Sequence, residues 1–178
     1  MWDHDRMSWI APQVTRTDES YVTDERRMLE GILERQRATL LWKCAGLTGE
    51  QLARRAVPPS NLSLLGLVRH VADAERAWFR RRVGGEQLPE VYAREDRPDA
   101  AFEEASAEGA EDAFARLAEE WDLVRKAAAG ASLDDEFTHE QAGPISVRWV
   151  YNHLIEEYAR HNGHADLLRQ SIDGVTGE

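Results

Sequence analysis

Four long stretches of this chain repeat their apolar residues every three to four positions, each between a capping residue and a break, a pattern that packed α-helices satisfy and a sheet does not. The first is predicted over about 24–46, with Thr23 as cap, Asp24 and Glu25 in the first turn, and Leu29, Ile32, Leu33, Leu40 and Cys44 on one face. Thr48 followed by Gln51 reads as the capping box of a short helix that Pro58-Pro59 ends. Ser63 caps a second long helix over about 64–83, closed by Gly84-Gly85. A third spans about 110–129, with Phe114, Leu117, Trp121 and Val124 in register and Gly130 beyond it. Gly143-Pro144 then turns the chain into Ser146, the cap of a fourth helix over about 147–172.

Helices of about 20 to 26 residues are about 30 to 39 Å long. Residues 84–108, mixed in Pro, Gly and acids with a short helix expected near Phe102, form a link long enough to cross the end of a bundle. The expectation is an all-α four-helix bundle with a long crossover between helices two and three and no strand. A length of 178 residues suits one domain, expected over 22–178 and preceded by an arm at 1–21 that covers something or stays loose.

Charge narrows the partners. The chain carries −11 at neutral pH, and Lys43 and Lys126 are its two lysines, so no basic tract can follow a phosphate backbone and nucleic acid is not expected as a partner. No run of eighteen apolar residues is present, so no membrane partner is expected. The N-terminus lacks the basic and apolar regions of a signal peptide, and Cys44 is alone, so an internal disulfide is excluded; a cytoplasmic location is the expectation.

One feature of the fourth helix departs from plain amphipathicity. At 100° per residue, Val147, Val150, Leu154, Ala165 and Leu168 lie within about 40° of His161, and Glu157 shares that stripe. A buried carboxylate needs a compensating partner or loses its charge. A metal ion is one such partner, and residues four apart project on one face about 6 Å apart along the axis, close enough to converge on one ion. The alternative is a metal-free pair of hydrogen-bonded side chains. His153 lies eight residues, about 12 Å, from His161 and cannot share an ion with it. His153 and His164 fall at the margin of the stripe and are expected at the rim. His70, the histidine of helix two, is the candidate third ligand, although it sits about 70° from the centre of its own helix's apolar stripe.

The segments Leu67-Val-Arg-His70-Val-Ala-Asp-Ala-Glu-Arg-Ala-Trp-Phe and His153-Leu-Ile-Glu-Glu157-Tyr-Ala-Arg-His161-Asn-Gly-His164-Ala-Asp resemble the DinB-like superfamily, in particular actinobacterial DinB-like domains of unknown function and, more distantly, mycothiol-dependent maleylpyruvate isomerases. The resemblance spans about 22–173 in architecture. It implies an up-down-down-up four-helix bundle and a divalent metal held by one histidine of helix two and two ligands four apart on the last helix, here His70, Glu157 and His161. Zinc is the first expectation, with nickel, iron and manganese also compatible with these donors. It further implies a small-molecule thiol such as mycothiol and a transferase or isomerase reaction. The arginine-rich, lysine-poor composition fits a GC-rich source, in which mycothiol is plausible, and the resemblance implies an actinobacterial one. Against this stands a second expectation: a non-catalytic, stress-related or dimerising bundle whose metal is structural or whose polar cluster holds no metal.

The other candidates carry less. His4 between Asp3 and Asp5 could bind stray metal in the arm. Cys44 is expected in the core, as are Trp78, Trp121 and Trp149, while Trp2 and Trp9 are left without a place. The acids from Glu103 to Asp112 are expected on a solvated face.

Overall fold

A computed structural model describes residues 9–17 and 20–177. The long helices form where the sequence places them. Helix α1, Glu25–Cys44, is capped by Asp24 rather than Thr23, the Asp24 carboxylate accepting from Arg27 N–H at 3.0 Å. Helix α2, Gly49–Ala53, has both halves of the Thr48/Gln51 capping box. Helix α3, Leu64–Glu75, is capped by Ser63 and continues as a π-helical segment, Arg76–Val83. Helix α4, Ala100–Glu103, lies in the crossover. Helix α5 runs Ala110–Ala128, and α6, Val147–Asp173, starts at the Ser146 cap and ends at Gly174, whose φ of 80° is the left-handed conformation glycine adopts without strain.

A strand pair was not expected and is present: β1, Glu136–His139, pairs antiparallel with β2, Gly143–Ser146. With four residues on each side and Pro144 inside the second, the alternation is too short to rise above the turn signal. The hairpin leads directly into α6, and Val147 N–H donates to Asp135 C=O.

Helix α1 packs along α6, while α3 and its π-helical extension pack against α5, and α3 also meets α6. Leu33, Leu40, Leu64, Leu117, Leu154 and Phe79 are buried between them in one continuous core with Cys44. Each fully buried side chain of this size contributes about 1.5–3 kcal/mol. The described part of the arm covers this core: Ala11 exchanges backbone hydrogen bonds with Gly46 and Leu47, and Trp9 packs edge-on against Phe114 at 5.0 Å. Trp9 therefore has a place; Trp2 and His4 fall outside the described residues. Trp121 is buried as expected, but Trp149 is 44% exposed. Among the described residues no helix is long and apolar enough to cross a membrane.

Two buried polar knots tie the helices. Arg37 of α1 donates to both oxygens of Glu75 at 2.6 Å, and Glu75 also accepts from Tyr158 Oη, which accepts from Trp121 Nε1. Glu120 of α5 takes Arg76 and Arg80 from the π-helical segment. Asp73 holds the crossover, accepting from the backbone N–H groups of Val91, Tyr92 and Ala93.

Candidate metal centre

Helix α6 presents Glu157 and His161 on one face, and α3 presents His70 opposite them. The Glu157 Oε2 oxygen lies 3.8 Å from His70 Nε2 and 3.5 Å from His161 Nε2. One ligand atom from each of the three lies within 4.8 Å of the others. A tetrahedral ion about 2.1 Å from each donor requires donors about 3.4 Å apart, so two imidazoles and a carboxylate in this arrangement fit one divalent cation after small side-chain adjustments.

The offset of His70 from its own apolar stripe has a structural reason. The crossover folds back over α3, and Phe102 of α4 stacks on the His70 ring with centroids 5.0 Å apart, while the His161 ring meets it edge-on at 4.7 Å. Gly66 permits this approach: a Cβ there would stand 3.0 Å from Phe102 Cδ1 and 3.3 Å from Phe102 Cα. His70 is thus only half-buried, between the core and the crossover.

Electrostatics leave the imidazoles neutral. His161 is 8% exposed; burial, reinforced by His70, His164 and Arg160, pushes its pKa down to about 3. Burial also lowers His70, with Glu157 opposing the shift. Neutral rings keep a nitrogen lone pair free for a cation, with little competition from protons. The remaining contacts orient the donors. Arg160 donates to the outer oxygen of Glu157 at 3.2 Å, leaving Oε2 to the histidines. His164 Nδ1 lies 3.3 Å from His161 Nδ1. When His161 Nδ1 carries its proton and donates it to His164, His161 Nε2 is the free nitrogen on the Glu157 side.

His164 therefore supports the cluster from its edge, and the rim position read from the helical wheel understates it. His153 is directed elsewhere, stacked flat on Trp149 at 4.7 Å and edge-on to Trp78 at 4.8 Å. Trp78 also stacks on His139 of β1. Sequence reasoning missed this aromatic group because Trp78 meets it from another helix and His139 from the unexpected hairpin; the spacing of Trp149 and His153, four apart on one helix face, was its one local signal. It also missed a groove of about 360 Å³ that begins at His70 and Glu157 and ends at Trp78 and His153. Glu103, Glu108, Glu111 and Asp112 are exposed, as a solvated face requires, and Glu104 pairs with Arg94 and Arg97 at the surface.

With this geometry in hand, comparison with known proteins adds the following. A family model described as mycothiol-S-transferase matches residues 28–174. Among solved structures, a crystal structure described as a conserved protein of locus from Enterococcus faecalis aligns with a TM-score of 0.64 at 16% identity, covering 86% of this chain and 100% of that one. At that identity the likeness is one of fold. No curated protein matches the chain.

Proposed function

The chain belongs to the mycothiol-S-transferase family, and from that premise we propose that it is a metal-dependent enzyme that transfers a low-molecular-weight thiol to an electrophile, with His70, Glu157 and His161 as the metal ligands. The observation that carries the reading is the convergence of these three donors, two of which, His70 and Glu157, also line an open groove. The packing of α1 on α6 and of α3 on α5 supports an up-down-down-up four-helix bundle over 22–178 as its frame.

A divalent cation at this position, zinc in the first instance, would supply the positive charge that favours a thiolate over a thiol near neutral pH. The chain's own residues do the rest. His70 and His161 offer neutral nitrogens, and Glu157 lowers the net charge of the site. Phe102 covers the His70 ring and excludes water from that side. The reaction would form one bond at sulfur: R–SH and E–X give R–S–E and HX.

A structural metal is the competing reading, and the packing argues against it. Apolar side chains of all four long helices form one continuous core, which supports a fold that does not depend on the ion as a zinc finger does. Metal analysis after equilibrium dialysis tests the proposal. One ion per chain is expected for the wild type and less than a tenth of that for His161→Ala, with an unchanged far-UV spectrum after chelation and a thermal shift with mycothiol only in the loaded protein. Unchanged stoichiometry in His161→Ala would rule out this ligand set.

A further inference from the structure

The groove beside the metal centre has two distinct ends. His70 faces Glu157 at one, and eight residues further along the same helical run, roughly 11 Å away, Trp78 meets His153 at the other. Ala74 and Ala77 lie between them and bring no polar side chain to a ligand. The carboxylates of the lining are already committed. Asp73 accepts from three backbone N–H groups. Glu90 pairs with Arg81, and its second oxygen is closed off from the groove. Glu157 belongs to the metal centre.

His153 is not committed in this way. Its ring lies flat on Trp149 and edge-on to Trp78, contacts that fix its plane without using its nitrogens. Among the described residues neither ring nitrogen has a hydrogen-bond partner. Trp78 beside it can donate through Nε1, but an indole is a donor only and does not hand its proton over. An imidazole both takes up and releases a proton near neutral pH.

Resting on the thiol-transfer reading, we infer that His153 is the proton donor to the leaving group, and that the groove serves electrophiles that leave through an oxygen in need of a proton, as an epoxide does. In an in-line displacement the leaving atom departs on the side opposite the attacking sulfur. With sulfur at the His70 and Glu157 end, that side is the far end of the groove, where His153 stands. The thiol gives its proton to water as it becomes a thiolate. Sulfur then bonds to the ring carbon, and the C–O bond breaks with its electron pair left on oxygen. The His153 imidazolium protonates that oxygen and regains a proton from water. The sum is R–SH plus an epoxide giving a hydroxyalkyl thioether, with no oxidant or further reactant. A halide leaves as a stable anion and needs no such donor.

Two variants separate the roles of this ring. His153→Phe keeps a flat ring beside Trp149 and Trp78 without the nitrogens, and His153→Gln keeps a hydrogen-bond donor with no transferable proton. In the metal-free protein, followed by saturation-transfer NMR, the affinity for the unreactive acceptor N,N-dimethylbenzamide relative to toluene should fall about fivefold in His153→Phe, the loss of one hydrogen bond. His153→Gln should recover it. In the metal-loaded protein with mycothiol, the ratio of kcat for styrene oxide to kcat for benzyl chloride should fall by about 10² in both variants, since neither can hand over a proton. A kcat ratio or a relative affinity unchanged in His153→Phe would overturn the inference and leave thiol transfer standing. No transfer of either electrophile by the wild type would overturn the transferase reading instead; a lower relative affinity in His153→Phe would then still mark His153 as the donor to a ligand oxygen, and its absence would remove that role too.

Discussion

Glu75 and Glu157 each lie between helices of this protein, the first buried and the second partly so, and their surroundings differ. Glu75 has a built-in cation: Arg37 meets both of its oxygens, and Tyr158 fills a further acceptor position. Glu157 has a rim arginine on one oxygen and two neutral imidazoles near the other. The first cluster is complete with what the chain supplies. The second is short of positive charge on its inner side, and that deficit distinguishes a binding site from a structural knot: a carboxylate already matched by an arginine has little to gain from a metal.

The largest effect expected from this contrast is on stability. In Glu75→Gln the Arg37 guanidinium, 3% exposed, keeps its charge and loses its buried countercharge, with only the half-exposed Glu34 left on Nη1; burial alone would lower its pKa, and Glu75 is the main group that holds it well above the ordinary value. Breaking a buried pair from one side costs about 3–5 kcal/mol, readable as a lower urea midpoint. The double substitution Arg37→Met/Glu75→Leu should recover most of that loss, because a packed apolar pair replaces the ion pair at similar volume. A single-site loss under 1 kcal/mol would show that the two clusters do not differ in kind.

A smaller effect separates the clusters by pH. In the metal-free protein His161 keeps a pKa near 3, while in the unfolded chain a histidine titrates near about 6.5. The unfolded state therefore binds more protons below pH 6.5. The stability that neutral His161 contributes is fully present above that pH and is lost as pH falls, at up to about 1.4 kcal/mol per pH unit. His70 acts in the same direction. Urea titrations at pH 7, 6 and 5 should show this slope, and His161→Asn should remove roughly one proton's share of it. A slope unchanged in that variant would mean that His161 is not buried as a neutral ring.

How far each cluster could be read from the sequence follows from the range of its contacts. Glu157 and His161 stood out because both lie on one helix, where spacing alone places them on the apolar stripe. The Thr48/Gln51 box and the Ser63 and Ser146 caps were legible for the same reason, since each is settled within three residues. Arg37 and Glu75 are 38 positions apart on different helices, and no local period links them. His70 was legible as a residue type but not in orientation, which depends on Phe102 arriving across a crossover that Gly66 lets approach. Trp149 lies at a helical position yet is 44% exposed, packed against Trp78 and His153 rather than in the core.

The smallest expected effect is the most discriminating. Glu157→Gln in the metal-free protein removes a charge that the interior does not balance, so stability should stay within about 1 kcal/mol of the wild type or rise, in contrast to the loss for Glu75→Gln. Cys44 gives an independent readout: it is fully buried, and burial pushes its thiol pKa up to about 12, so an alkylating reagent at pH 8 reaches it only when the core opens. If opening is global and rapid, Glu75→Gln should speed labelling by about 10²–10³, the equivalent of 3–4 kcal/mol, while Glu157→Gln leaves the rate near that of the wild type. Comparable acceleration in both variants would make Glu157 a second structural anchor of the bundle and remove the physical reason for placing a metal beside it.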